Sequence, residues 1–165
     1  MTAKRLLIIW HSRTGGSEAL ALAAARGALV APDVQLDVCR AQDVDAATLL
    51  AAAGYLFVAP ENLASLSGAM KEMFDRHYYV CLGRIEGRPY ATIICAGSDG
   101  TGAQRQLDRI ATGWRLRRVA EPMIVITGAQ TGEAIWAAKV IEDADLATAE
   151  ELGAALATGL GDGVF

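Results

Sequence analysis

Three almost unbroken apolar runs punctuate this chain: Leu6-Leu7-Ile8-Ile9-Trp10, Tyr55-Leu56-Phe57-Val58-Ala59 and Tyr90-Ala91-Thr92-Ile93-Ile94-Cys95-Ala96. Continuous rather than alternating hydrophobicity is what parallel strands covered on both faces require. Val34, Leu36 and Val38 instead alternate with Gln35 and Asp37. That period of two predicts a second strand with one exposed face, at a sheet edge. Met123 to Ile126 supplies a fifth strand, apolar throughout.

Helical signals fill the gaps. Ser17 to about Ala31 is dominated by Ala and Leu and closes at Pro32-Asp33, which predicts a helix lying close on the sheet. Asp45 caps a short helix through Ala53, closed by Gly54, and the strand that follows is expected to end at Pro60. From Gly68, the residues Met70, Met73, Phe74 and His77 share one face, with Lys71, Glu72, Asp75 and Arg76 elsewhere. Leu107, Ile110, Ala111 and Trp114 mark another helix. Leu152, Leu156 and Leu160 mark the last one, whose start at Thr148-x-x-Glu151 has capping-box spacing. Gly159, Gly161 and Gly163 predict a frayed tail, and Gly128 to Ala134 shows no regular pattern, so a lid and an interface loop both fit it.

Strands alternating with helices predict an α/β, three-layer, doubly wound fold built on a five-stranded parallel sheet of order 2-1-3-4-5. Ligands of such sheets bind where the winding reverses, beside the loops after strands one and three. The loops 11–17, 60–67 and 97–102 all leave carboxyl ends of strands and therefore share one rim. His11-Ser12-Arg13-Thr14-Gly15-Gly16-Ser17 reads either as a phosphate cradle, its N–H groups and hydroxyls converging at a helix N-terminus, or as an ordinary capped turn.

Composition narrows the function. The 165 residues, 53% hydrophobic and 21% charged, fit one domain, 1–165, with a sizeable core. A formal charge of −4 argues against sequence-independent nucleic-acid binding. The basic cluster Arg115, Arg117 and Arg118 reads as a solvated helix end. No apolar run approaches 18 residues and no signal-peptide pattern opens the chain, so a cytoplasmic protein without a membrane span is expected. Cys39, Cys81 and Cys95 are odd in number and widely spaced, the pattern of buried thiols rather than a disulfide or metal framework. His11 and His77 are too few for a metal site, and His77 belongs to a packed helix face. Tyr78, Tyr79 and Trp136 either fence a substrate or are buried or interface aromatics. The chain has no Gly-x-x-x-x-Gly-Lys-Ser/Thr motif, and strand one ends in His11 and Ser12 rather than an acidic cluster, so nucleotide triphosphatase and phosphorylation-receiver readings fail.

On these residues the chain resembles the flavodoxin-like superfamily, in particular its NAD(P)H-dependent FMN reductase and quinone reductase branches. Ser12-Arg13-Thr14-Gly15-Gly16-Ser17 is similar to the loop that holds the FMN phosphate. Pro60-Glu61-Asn62-Leu63-Ala64-Ser65-Leu66-Ser67-Gly68-Ala69-Met70-Lys71, running on to Phe74-Asp75-Arg76, is similar to the second flavin loop and its helix. Gly97 to Gly102 stands where a third loop edges the isoalloxazine ring.

The resemblance implies FMN as cofactor, with NAD(P)H as co-substrate. It implies that Ser12, Arg13, Thr14, Gly15, Gly16 and Ser17 surround the phosphate, with Arg13 either on a phosphate oxygen or in solvent. Pro60, Glu61, Asn62, Leu63, Ala64 and Ser65 would line ring and ribityl chain, and Gly97, Ser98, Asp99 and Gly100 would close the other side. Glu61 stands where Thr is usual, its carboxylate either near the flavin pyrimidine or swung out to water. Neither of the latter two loops carries an aromatic residue to stack on the ring, which leaves a face open to nicotinamide or quinone. The implied activity is hydride transfer from NAD(P)H through flavin to a quinone or similar small acceptor, with no catalytic side chain. A flavodoxin-type electron carrier and a flavodoxin-fold module that binds no flavin are the alternatives, the mild net charge favouring the reductase over the carrier. An apolar fifth strand at an open edge suggests a homodimer or homotetramer.

Overall fold

The computed structural model describes residues 2–165. Its strands are β1 (Lys4–Trp10), β2 (Val34–Arg40), β3 (Gly54–Asn62), β4 (Ser65–Leu66), β5 (Pro89–Ala96), β6 (Arg117–Arg118) and β7 (Met123–Ile126). Its helices are α1 (Gly16–Ala28), α2 (Ala46–Ala51), α3 (Gly68–Cys81), α4 (Thr101–Gly113), α5 (Gly132–Trp136) and α6 (Asp143–Gly161). β2, β1, β3 and β5 pair in parallel in that order, and β6 and β7 both pair in parallel with β5. These last two are one fifth strand broken in the middle, so the sheet keeps the order 2-1-3-4-5. β4 is an antiparallel return on β3.

The unbroken apolar runs are explained by two cores, one on each side of the sheet. Leu7 and Ile9 of β1 join Tyr55, Phe57, Met70, Phe74, Leu107 and Trp114 on the face covered by α2, α3 and α4. Leu6 and Ile8, alternating with them, join Leu56, Val58, Leu20, Ala24, Leu156 and Leu160 under α1 and α6. A central strand therefore has no polar face to show. His77 lies within α3 at 5% exposure, its Nε2 3.1 Å from the Val44 carbonyl, which is the packing role expected of it.

α1 and α6 lie against each other backbone to backbone. A Cβ at Gly27 would strike the Glu150 carbonyl, and one at Gly153 would strike the carbonyl of Ala24. At these two positions not even a methyl group fits between the helices.

Several boundaries differ from expectation. α1 stops at Ala28 and α2 at Ala51, with Asp45 capping the latter by accepting from Thr48 N at 2.8 Å; Gly54 opens β3 rather than closing a helix. β3 does not end at Pro60: Pro60 is the last residue in register with β5, and the strand runs on to Asn62 because Glu61 and Asn62 pair with β4. α6 begins at Asp143, its first turn carrying Asp143 and Asp145, and Thr148 lies inside it with its hydroxyl donated to the Ala144 carbonyl. Acidic residues complement the positive helix start as well as a capping box does. The glycine-rich tail is not frayed: the Phe165 ring packs where a Cβ of Gly159 would stand, and Val164 N bonds the Gly159 carbonyl at 2.9 Å. Arg117 and Arg118 belong to β6, not to a helix end. Gly132 to Trp136 forms the short α5, capped by Thr131, within the stretch that showed no pattern.

Gly153→Ala separates two effects of opposite sign. Helix propensity alone would stabilise by about 1 kcal/mol, whereas the clash with the Ala24 carbonyl costs about 1–3 kcal/mol or more. Thermal unfolding should show the clash winning, with a fall in Tm of about 4–8 °C for a net loss of roughly 2 kcal/mol. A rise in Tm would mean that the two helices are not in backbone contact.

Candidate functional site

The three loops leave β1, β3 and β5, which are neighbours in the sheet, so their carboxyl ends form one continuous rim. The first loop turns into α1 through Gly15, whose φ of +94° is left-handed and suits glycine. Gly15 N donates to Ser12 Oγ at 3.0 Å, curling the loop on itself and leaving the Ser12 O–H to donate outward. The first α1 amide bonded within its own chain turn is Ala19 N, to the Gly15 carbonyl, so the N–H groups of the opening turn are available to a ligand. Ser17 is 2% exposed and its Oγ has no hydrogen-bond partner. A buried hydroxyl left so costs about 1–3 kcal/mol. A helix start plus an orphaned hydroxyl is the complement of an anion with several oxygens. Arg13 is exposed at this loop.

Gly16 is needed for packing rather than for its φ. A Cβ there would lie 2.8 Å from Cys95 Sγ and 3.3 Å from Lys139 Cβ. Burial pushes the Cys95 thiol up to about 11, so it is protonated and serves as packing. The Lys139 amide donates to the Thr14 carbonyl at 2.8 Å, and its ammonium bonds the carbonyls of Ala134, Ile135 and Ala137 at the end of α5. The segment 127–141 thus straps the rim, since Thr127 N and Gly128 N also bond the carbonyls of Ala96 and Gly97. Trp136 and Tyr79 stand out from the surface, 85% and 84% exposed.

The second loop is a hairpin, not an irregular loop. Glu61 and Asn62 pair with Leu66 and Ser65, and the turn between them puts Leu63 at φ 53° and Ala64 at φ 60°. Two successive positive φ values are the type I′ geometry that fits hairpin twist but favours Asn and Gly. Each left-handed alanine or leucine costs about 1–2 kcal/mol, so the turn is held by its surroundings. Glu61 does the holding: Oε1 accepts from Gly100 N at 2.9 Å and Oε2 from Ala103 N at 3.1 Å. Its carboxylate is therefore committed to the start of α4 and is not swung out to water. Gln106 Oε1 accepts from Ser65 Oγ and Leu66 N, both at 2.7 Å, and the Ala64 carbonyl rests where a Cβ of Gly102 would be.

The third loop is short. Gly97 lies under the Ala129 carbonyl, 2.7 Å from where its Cβ would stand, while Ser98 and Asp99 are exposed. Asp99 accepts from the Thr101 hydroxyl at 2.8 Å, and Gly100, at φ +84°, opens α4.

Sequence reasoning missed the ties between loops. His11 Nδ1 is 2.8 Å from Ser67 Oγ, with His11 7% and Ser67 0% exposed. Burial, and then the charge of Arg13, hold the His11 imidazole below its ordinary pKa. Ser67 sits at the N-cap of α3 without capping it by its side chain, forgoing about 1 kcal/mol of helix stabilisation. A serine directly before a helix signals a cap; nothing local signals a histidine 56 positions earlier as its partner. Among the described residues no group of three or more His, Cys, Asp or Glu side chains could hold a metal.

Two substitutions test this geometry through stability. Gly16→Ala should cost about 1–3 kcal/mol in urea unfolding, and Cys95→Ala in the same chain should recover part of that by removing the nearest clashing atom; no recovery would put the obstruction elsewhere. Glu61→Ala leaves two amides at the start of α4 without their charged acceptor and should cost about 2 kcal/mol, with Glu61→Gln intermediate. Equal stability of all three would mean that the carboxylate holds nothing.

Residues 12–131 match the family described as NADPH-dependent FMN reductase. No curated protein matches the sequence significantly. An archaeal flavodoxin superposes with a TM-score of 0.78 at 16% identity, covering 94% of this chain and 98% of its own. A WrbA-like flavodoxin protein from Agrobacterium tumefaciens gives 0.70 at 18% identity, covering 97% and 98%. The flavodiiron core of Flv1 from Synechocystis sp. PCC6803 gives 0.77 at 19% identity, covering 98% of this chain and 37% of that one. At these identities the structures establish a flavodoxin-like fold, and the family match adds flavin-dependent redox chemistry as the setting. The chain belongs to the NADPH-dependent FMN reductase family.

Proposed function

We propose that the protein is an FMN-dependent oxidoreductase that takes a hydride from NAD(P)H and passes two electrons to a quinone or similar small acceptor. The observation that carries this reading is the orphaned, buried Ser17 hydroxyl beneath the opening turn of α1. It sits in a loop whose backbone curls around one point, on the same rim as a strained hairpin clamped in place. The flavin, when bound, supplies the hydride chemistry.

The chain's own residues then have binding roles. Ser12, Thr14, Gly15, Gly16 and Ser17 surround the phosphate through hydroxyls and first-turn amides, with Arg13 adding an exposed positive charge at the edge. Pro60 to Ser65 form one wall of the ring site, and Gly97, Ser98, Asp99 and Gly100 the other. Glu61 contributes by fixing the hairpin to α4. Leu63, wholly exposed at the hairpin tip, and Ile126, half exposed beyond the third loop, give the rim an aliphatic border. The absence of a stacking aromatic in these loops leaves access for a nicotinamide or quinone.

The test is the visible spectrum of protein loaded with FMN and desalted, titrated without oxygen with NADPH and then NADH. Retained flavin that bleaches with either nucleotide is the expected result; flavin that stays oxidised would point to an electron carrier, and none retained would overturn the reading. Replacing Thr14 and Ser17 together by Ala should raise the FMN dissociation constant roughly 100-fold, as two charge-assisted hydrogen bonds lost would do, with circular dichroism unchanged. Unchanged affinity would remove the phosphate cradle.

A further inference from the structure

We propose that the His11–Ser67 hydrogen bond is a latch joining the phosphate cradle to the hairpin, so that an anion held at α1 steadies the wall beside the ring. His11 is thereby a positioning residue. The inference rests on the FMN reading above for its purpose, but not for its geometry.

Both ends of the latch are rooted. The His11 amide donates to the Val58 carbonyl at 3.0 Å, and the next residue, Ser12, accepts from Gly15 N, so the ring cannot shift without moving the cradle. Ser67 follows directly on Leu66, the last residue of the hairpin, and its carbonyl accepts from Lys71 N at 3.0 Å in α3. Its hydroxyl stands where a capping group belongs and yet makes no cap. That hydroxyl is committed to the imidazole. With the ring neutral, Nδ1 and the serine hydroxyl take complementary donor and acceptor roles, whichever tautomer is present.

The hairpin needs such a tie. Its turn is held at positive φ in Leu63 and Ala64, and the clamps from Glu61 and Gln106 reach it only from the α4 side. The first loop lies on the opposite side, next to β1, and His11–Ser67 is the side-chain link between it and the hairpin's root. Breaking that link frees one side of a strained turn and cuts the cradle off from it.

The experiment reads amide hydrogen exchange at Asn62 to Leu66 in flavin-free protein, with and without near-saturating inorganic phosphate, alongside dissociation constants for FMN and riboflavin by flavin fluorescence. In the unmodified protein phosphate should slow hairpin exchange roughly fivefold, the equivalent of one net hydrogen bond. His11→Leu and Ser67→Ala should each abolish that slowing and bring the FMN and riboflavin constants closer together by a similar factor. His11→Asn should restore both, since its amide reaches toward the serine hydroxyl. Phosphate slowing the hairpin equally in His11→Leu, or not at all in the unmodified protein, would overturn the latch. An intact phosphate effect in a protein that binds no flavin would keep the latch and defeat the FMN reading instead.

Discussion

One carboxylate organises the rim. Glu61 leaves the end of β3 and lays its two oxygens across the opening amides of α4, so a strand end, a hairpin and a helix start become one body. The interaction meets two requirements at once. The helix gains the acceptor and the negative charge that its first turn favours, and the hairpin gains an anchor strong enough to keep Leu63 and Ala64 in left-handed conformations. Gly100 and Gly102 follow from the same constraint. The first must turn at positive φ to present its amide, and the second must leave room for the Ala64 carbonyl.

The carboxyl and amino rims of the sheet differ in how well their polar groups are satisfied. At the amino side, Arg88 bonds the Leu50 carbonyl and the Tyr55 hydroxyl, and that hydroxyl donates in turn to the Leu49 carbonyl at 2.8 Å. Burial pushes the Tyr55 phenol up to about 12, so it remains a donor throughout. At the carboxyl side lie an unpartnered Ser17 hydroxyl, a helix N-cap that does not cap, and a turn built from residues that dislike it. Local departures of this kind gather where a ligand is to be met.

The layout was legible because burial on both faces is written directly into composition. Leu6 to Trp10 and Tyr55 to Ala59 lack polar positions, and Val34 to Val38 alternate, so the edge placement of the second strand follows from hydrophobicity, and the strand order from that placement and the alternation of strands with helices. The three loops were found for the same reason, as polar stretches after apolar ones. What could not be read was who meets whom. The partners of Glu61 lie 39 and 42 positions away and Ser67, the partner of His11, lies 56 away, so no local pattern announces either contact. Helix starts were misplaced where two valid signals competed, as at Asp143 and Thr148. Periodicity reports which face of an element is buried; it carries no information on side-chain pairs between elements.

The fifth strand has a consequence for how copies of the chain meet in a crowded solution. Arg118 is in register with Tyr90 and Met123 with Ile93, so four residues, Val119 to Pro122, stand opposite only Ala91 and Thr92. This bulge, with a proline in it, splits the open border into a two-residue and a four-residue piece. A foreign strand laid along it would lose register after a few hydrogen bonds. The most apolar border of the sheet is thereby a poor template for fibril growth.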